Sequence, residues 1–163
     1  MRSKSPALLI ARGAVVAALY TVLSYLTQSM QIAFFQIRPA EALCVLPLFM
    51  PEAVGGLFIG CIISNLICGC LPLDVVFGSL ATLIGALCAF WLSRLPRKYK
   101  WCATIPTILS NAAIIPPILI FEYGSTDAYF FLLLTVFVGE LISAGILGSL
   151  LYYALERTRL FRS

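Results

Sequence analysis

The chemistry open to this sequence is set by seven acidic side chains and by the absence of histidine. Without histidine the chain can build neither a serine–histidine catalytic pair nor an H-E-x-x-H zinc site, and it has no Walker A loop with which to use ATP. Cys68 and Cys70 form a C-x-C pair, but this spacing without histidine is weak support for a metal site. We therefore expect a binding protein that has no catalytic residue, no cofactor and no metal.

Arg38 and Glu41 lie three residues apart near the outer end of a predicted helix. Glu41 is favoured by the positive end of the helix dipole and Arg38 is not. Arg38 therefore needs Glu41, another acid, or an anionic or carbonyl group of a ligand. The alternative is a structural ion pair that steadies a short helix. Both residues are candidate ligand-binding groups.

Glu140 lies about 18 Å into the last predicted span, at 1.5 Å per residue. A glutamate at that depth needs a partner or a bound proton, and a ligand role and a structural hydrogen bond fit this position equally well. Asn65 and Asn111 fall in the outer halves of two other predicted spans. Each amide there either joins two helices or contacts a ligand.

Three further candidates surround the predicted outer mouth. Asp74 also suits the N-cap of a helix, and Glu122 also suits a solvated loop. Phe35 is an ordinary interface anchor, yet an aromatic ring at that place can also stack on a flat ligand. The set predicts one outward-facing cavity for a small, flat, hydrogen-bonding ligand. Its members are Arg38, Glu41, Asn65, Asn111, Glu140, Phe35, Asp74 and Glu122.

The elements that position these groups follow from the composition. Of the 163 residues, 61% are hydrophobic and 11% are charged, with a mean hydropathy of +1.02, whereas a soluble domain carries about 25% charged residues. A lipid bilayer accommodates this apolar surface. We predict an all-α integral membrane protein. Its single domain, 1–163, would have six transmembrane helices at about 7–26, 38–50, 53–70, 74–93, 101–121 and 128–155.

The basic residues predict the orientation of the chain. With six spans, ten of the eleven lysines and arginines fall on one side, which the positive-inside rule makes cytoplasmic. They are Arg2, Lys4, Arg12, Arg94, Arg97, Lys98, Lys100, Arg157, Arg159 and Arg162. We expect a cell-membrane protein with both termini in the cytoplasm and its first apolar run retained, not cleaved as a signal peptide. The net charge of +4 then reflects topology and anionic lipid, not nucleic acid binding.

Small residues form stripes on three predicted helices, and such stripes let helices approach closely in lipid. The stripes on the third and fourth helices suit packing inside the bundle. The stripe on the first helix suits internal packing or contact with a partner protein equally well. It consists of Ala7, Ala11, Ala14 and Ala18.

Two stretches of the chain resemble the QueT family, and the likeness covers essentially the whole sequence. They are R-P-A-E-A-L from Arg38 and D-V-V-F-G-S-L-A-T-L from Asp74. QueT proteins are the substrate-binding S components of energy-coupling factor (ECF) transporters. The resemblance implies a six-helix S-component fold, a transmembrane T protein and two ATPases that use the ATP. It also implies uptake of queuosine precursors, which are 7-deazaguanines such as queuine and its cyano and aminomethyl relatives.

The resemblance also bears on the first helix. In S components an A-x-x-x-A motif on that helix docks the T protein, and Ala14 to Ala18 matches it. The stripe residues Ala11, Ala14 and Ala18 are therefore expected to contact the T protein rather than to pack inside the bundle.

A 7-deazaguanine also suits the polar set. A carboxylate accepts two neighbouring donors from a guanine-like edge, and arginine or asparagine serves its carbonyl. Glu41 or Glu140 would take the donor edge, with Asn65, Asn111 and Arg38 assisting, and the choice between the two acids stays open. A cationic aminomethyl ligand would favour a second acid, Asp74 or Glu122.

Three other functions remain open at this point. The chain is alternatively an S component for another flat vitamin such as a flavin or pterin, which competition binding distinguishes. A membrane enzyme would use Glu140 or the Arg38–Glu41 pair and would turn over a substrate alone. A structural subunit would bind no ligand, and replacing its polar residues would change only stability.

Overall fold

The computed structural model describes residues 5–28 and 36–158, and within these ranges the regular structure is entirely helical. We number six helices in chain order. They are α1 (Pro6–Leu26), α2 (Pro39–Leu48), α3 (Ala53–Ile67), α4 (Asp74–Leu92), α5 (Ile105–Phe121) and α6 (Tyr129–Arg157). A 3₁₀ segment, Arg97–Thr104, leads into α5. Each predicted span corresponds to one helix, with ends that differ by a few residues.

Several helix ends have recognisable causes. The side chain of Ser5 caps α1 by accepting a hydrogen bond from the backbone N–H of Leu8, and Pro6 occupies the first turn, where its missing N–H is harmless. Pro39 begins α2 in the same way, as its sequence position predicts. Helix α3 ends beside Gly69, whose φ of +73° suits a residue without a Cβ atom.

Three of the described helices, α2, α4 and α6, depart from α geometry near the polar residues. Helix α4 begins with a π segment, Asp74–Gly78. Helix α2 is a 3₁₀ helix throughout and contains Pro47, which has no N–H to donate. Its ten residues span about 20 Å at 2.0 Å per residue, against about 15 Å for an α-helix. Helix α6 contains a π segment, Leu141–Leu147, directly after Glu140. These departures change the direction in which side chains leave the backbone, and they occur beside the candidate acids Glu41, Asp74 and Glu140.

Among the described residues, four helices are long and apolar enough to cross a membrane: α1, α4, α6 and the continuous segment Lys98–Phe121 that contains α5. Helices α2 and α3 are apolar but shorter, with 10 and 15 residues. The prediction of an all-α, multi-pass membrane protein is confirmed. Complete crossing by α2 and α3 stays a prediction.

Helices that follow one another along the chain alternate in direction. Helices α1 and α3 run side by side in the same direction, since Gly56 lies against Gly13 and Gly60 against Ala17. Helices α4, α5 and α6 are successively antiparallel. The close approaches that show this are Gly78 to Ile115, Gly85 to Thr107, Gly145 to Ile108 and Gly148 to Thr104. We call the end at which α2, α4 and α6 begin the outer end of the bundle.

Candidate functional site

The side chain of Glu41 sits in the centre of the bundle and is 1% exposed. Its Oε1 atom accepts a short hydrogen bond from the hydroxyl of Tyr20 on α1 and one of 3.1 Å from Thr82 on α4. Its Oε2 atom accepts a hydrogen bond of 3.1 Å from the thiol of Cys44. Both oxygens of Glu41 are therefore occupied by groups of the protein itself.

Cys61 on α3 completes this arrangement. Its sulfur atom lies 3.5 Å from the hydroxyl oxygens of both Tyr20 and Thr82. We name Tyr20, Glu41, Cys44, Cys61 and Thr82 the Glu41 cluster. It joins four helices by buried polar contacts.

Arg38 forms an ion pair with Asp74 and not with Glu41. Its Nη2 atom lies 3.6 Å from Asp74 Oδ2, and both side chains are largely buried. Arg38 is the cap residue of α2, with a φ of −115° and a ψ of 85°. Because the backbone of Arg38 is not helical, the three-residue spacing in sequence does not bring its side chain to Glu41. The sequence allows Glu41, another acid or a ligand as the partner of Arg38, and in the structure the partner is another acid, Asp74.

Glu122 caps the start of α4 from the far end of α5. Its two oxygens accept hydrogen bonds of 2.8 Å and 3.0 Å from the backbone N–H groups of Leu73 and Asp74. A carboxylate at this place satisfies donors that the first turn of a helix leaves free and complements the helix dipole. The capping role that sequence position suggests for Asp74 is thus performed by Glu122.

Tyr123 connects the same two loops. Its hydroxyl donates to Asp74 Oδ2 at 3.2 Å and accepts from the backbone N–H of Leu71 at 3.2 Å. Burial, and then the negative charge of Asp74, raise the pKa of Tyr123 to about 12. The hydroxyl therefore stays protonated at neutral pH and remains a donor to Asp74.

These groups border a cavity of about 350 Å³ at the outer end. Of the predicted candidates, Arg38 and Asp74 line it. Its full lining is Gln28, Gln36, Arg38, Cys68, Gly69, Cys70, Asp74, Ile115, Leu119 and Tyr123. Phe35 lies outside the described residues. Within the described part of the chain, no three histidine, cysteine or acidic side chains are grouped so as to hold a metal ion.

The remaining candidates lie outside the cavity lining. Glu122 sits beside the cavity, at the start of α4. Asn65 joins α3 to α4, because its Nδ2 atom donates to the backbone oxygen of Asp74 at 3.3 Å. Glu41 lies about 12 Å deeper than Asp74, as judged from its partner Thr82 on α4.

Glu140 and Asn111 form a second buried polar group, and each is 3% exposed. Asn111 approaches the carboxyl group of Glu140, and the charges of Glu41 and Arg38 also act on Glu140. Among the described residues, neither Glu140 Oε2 nor Asn111 Nδ2 has a hydrogen-bond partner. Thr107 Oγ1 and Asp74 Oδ1 are the other buried side-chain atoms of the described residues that have none.

Tyr20, Thr82 and Cys61 were not predicted as parts of a polar site. Their partners come from other helices, so no local motif connects them. One signal was available for Tyr20, because a tyrosine hydroxyl buried within an apolar helix needs a hydrogen-bond partner.

A separate apolar groove of about 670 Å³ runs along α1 and α3 on the surface of the bundle. Ala11, Ala14 and Ala18 are exposed, and Ala14 and Ala18 line the groove. The residue that packs against Gly60 is instead Ala17, which is buried. The predicted alanine stripe is therefore left open by the packing of this chain.

Comparison with known proteins gave one finding. The family model described as QueT transporter matches residues 10–157. Neither the curated proteins nor the solved structures gave a match.

Proposed function

The chain belongs to the QueT transporter family, and from this premise we propose that it is the substrate-binding S component of an ECF importer. Its cargo would be a queuosine precursor, captured from the outer face. Family membership makes the protein a membrane transport protein and not an enzyme. The substrate, the partner subunits and the orientation belong to the proposal.

The observation that carries the proposal is the cavity at the outer end. Its volume of about 350 Å³ falls at the small end of the range for ligand pockets, which suits a bicyclic heterocycle better than a flavin. Arg38 and Asp74 supply a donor and an acceptor side by side, and Tyr123 orients the acid. Such a lining suits a flat, polar ligand without net negative charge.

The proposed partner subunits are those that the family resemblance implies, and the exposed face of α1 is compatible with one of them. The sequence contains no Walker A loop, and the resemblance to the QueT family implies two partner ATPases that supply the energy. The groove with Ala14 and Ala18 gives a T protein a surface where helix backbones can approach closely. The proposed location is the cell membrane, with both termini in the cytoplasm.

Equilibrium binding to the purified chain in detergent tests this function. The ligands are queuine, 7-cyano-7-deazaguanine and 7-aminomethyl-7-deazaguanine, with guanine and riboflavin as competitors. We expect stoichiometric binding of a deazaguanine that riboflavin does not displace. The Asp74→Asn variant should weaken binding of the cationic aminomethyl ligand more than that of the neutral cyano ligand.

Two results would contradict the proposal. Binding of riboflavin or a pterin instead of a deazaguanine would make the chain an S component for another vitamin. A folded sample that binds none of these compounds would favour a structural membrane subunit. Glu52→Gln is the control for Asp74→Asn, because Glu52 pairs with Arg12 at the inner end of the bundle, far from the cavity.

A further inference from the structure

Glu41 and Glu140 are both buried candidates for binding the ligand, and their surroundings differ. Glu41 accepts hydrogen bonds from Tyr20, Thr82 and Cys44, so both of its oxygens are occupied. Glu140 is almost equally buried, yet its Oε2 atom has no partner among the described residues. An unpaired buried carboxylate oxygen is costly. It persists in binding proteins where a ligand supplies the missing donor.

The unpaired oxygen has a complementary neighbour. Asn111 approaches Glu140, and its Nδ2 atom is a buried donor that also has no partner in the described part of the chain. The two side chains interact with each other, yet Glu140 Oε2 and Asn111 Nδ2 each lack a hydrogen bond of normal geometry among the described residues. That arrangement matches a ligand edge on which an N–H group lies next to a carbonyl oxygen.

The position of Glu140 in the bundle makes contact with a ligand feasible. The backbone N–H of Arg38 donates to Ser143 on α6 at 3.0 Å. Ser143 follows Glu140 by about one helical turn, so Glu140 lies nearer the outer end than this contact does. Arg38, which lines the outer cavity, is close enough for its charge to act on Glu140.

We propose that Glu140 and Asn111 recognise the hydrogen-bonding edge of the ligand, whereas Glu41 holds the helices together. This inference rests on the proposed function and names the group that selects the cargo. The ligand class is a planar heterocycle with an N–H donor beside a carbonyl acceptor. The N–H group donates to Glu140 Oε2, and Asn111 Nδ2 donates to the ligand carbonyl.

The test combines binding with thermal unfolding of the full chain in detergent. The ligands are 7-deazaguanine and its 1-methyl derivative, in which a methyl group replaces the N1–H donor. Glu140→Gln and Asn111→Leu should each raise the Kd of 7-deazaguanine at least about tenfold, as for loss of a hydrogen bond to a charged or buried group. The Glu140→Gln variant should unfold at the wild-type temperature or above, because it loses an unpaired buried carboxylate.

Glu41→Gln should give the opposite pattern. It turns an acceptor of three hydrogen bonds into a group with an amide donor facing other donors, so the unfolding temperature should fall. If that variant does not fold, Thr82→Val removes only one donor of the Glu41 cluster. It should keep the Kd within about twofold while lowering the unfolding temperature. Glu52→Gln is the matched control for binding and should leave the Kd unchanged, because Glu52 lies far from the cavity.

The methyl derivative tests the contact itself. It should bind the wild type about tenfold more weakly than 7-deazaguanine, and Glu140→Gln should weaken it no more than about twofold further. If the wild type binds 7-deazaguanine and Glu140→Gln binds it equally well, this inference is overturned and the proposed function stands. If the wild type binds no heterocycle, both are overturned.

Discussion

Replacing Gly56 by alanine is expected to push α1 and α3 apart. A Cβ atom at Gly56 would lie 2.5 Å from the backbone oxygen of Gly13 and 3.0 Å from the Cβ atom of Val16. An ordinary carbon–oxygen contact is about 3.3 Å, so the helices must separate by about 0.8 Å. Because the Gly13 oxygen belongs to a helix backbone, no rotamer change can relieve the clash.

The size of the effect follows from that separation. A gap of about 0.8 Å forfeits a quarter to a half of the dispersion energy of each affected contact, and overpacking of this kind costs about 1–3 kcal/mol. Alanine gains about 1 kcal/mol over glycine in helix propensity. We take the upper end of the overpacking range because the clash is with backbone, which gives a net loss of about 2 kcal/mol.

Gly55→Ala is the matched control. A Cβ atom at Gly55 meets nothing within 4 Å, so only the propensity gain of about 1 kcal/mol applies. The two variants should therefore differ by about 3 kcal/mol in the free energy of unfolding. The assay is equilibrium unfolding in mixed micelles, followed by far-ultraviolet circular dichroism. Equal stability of the two variants would refute the close approach of α1 and α3.

Two further changes separate the groove from the cavity. Ala18→Leu on the exposed face of α1 should leave the free energy of unfolding within about 0.5 kcal/mol of wild type. It should abolish co-purification with the T protein and ATPases. If the variant still assembles with them, the groove is not the docking surface. Gly78→Ala would place a Cβ atom 3.0 Å from Asp74 Oδ1 and 3.3 Å from Asn65 Nδ2. Because this displaces Asp74, the Kd of the ligand should rise several-fold in a binding titration. An unchanged Kd would show that Asp74 is not part of the binding site.

The helices were predictable because their ends coincide with residues that interrupt apolar runs. Pro39 begins α2, and the turn at Pro51 and Glu52 separates α2 from α3 in both sequence and structure. What hydropathy did not predict is the 3₁₀ geometry of α2. That helix is buried along nearly its whole length, so contacts with the surrounding helices decide its geometry more than local propensity does.

Residue type and depth identified Arg38, Glu41 and Asp74 as buried polar groups, but not the partners that each of them has. Arg38 and Glu41 are neighbours in sequence, yet Glu41 is saturated by Tyr20 and Thr82, which are 21 and 41 residues away. Arg38 pairs with Asp74 instead. Residue type and depth select the groups that need partners, whereas helix packing decides which partner each group receives.

The inner end of the bundle supports the proposed orientation even if α2 and α3 do not cross completely. Arg12 lies 3.4 Å from Glu52, so the turn between α2 and α3 sits about 9 Å from the start of α1. Helix α2 therefore runs from the outer end towards the inner end, and helix α3 returns to the outer end. Whether α2 and α3 form two complete crossings or one re-entrant hairpin, the chain is back on the outer side before α4 begins. In either case, three remaining passes place the end of α6 on the side where α1 begins. That arrangement puts Arg12, Arg94 and Arg157 on one side, as the positive-inside rule requires.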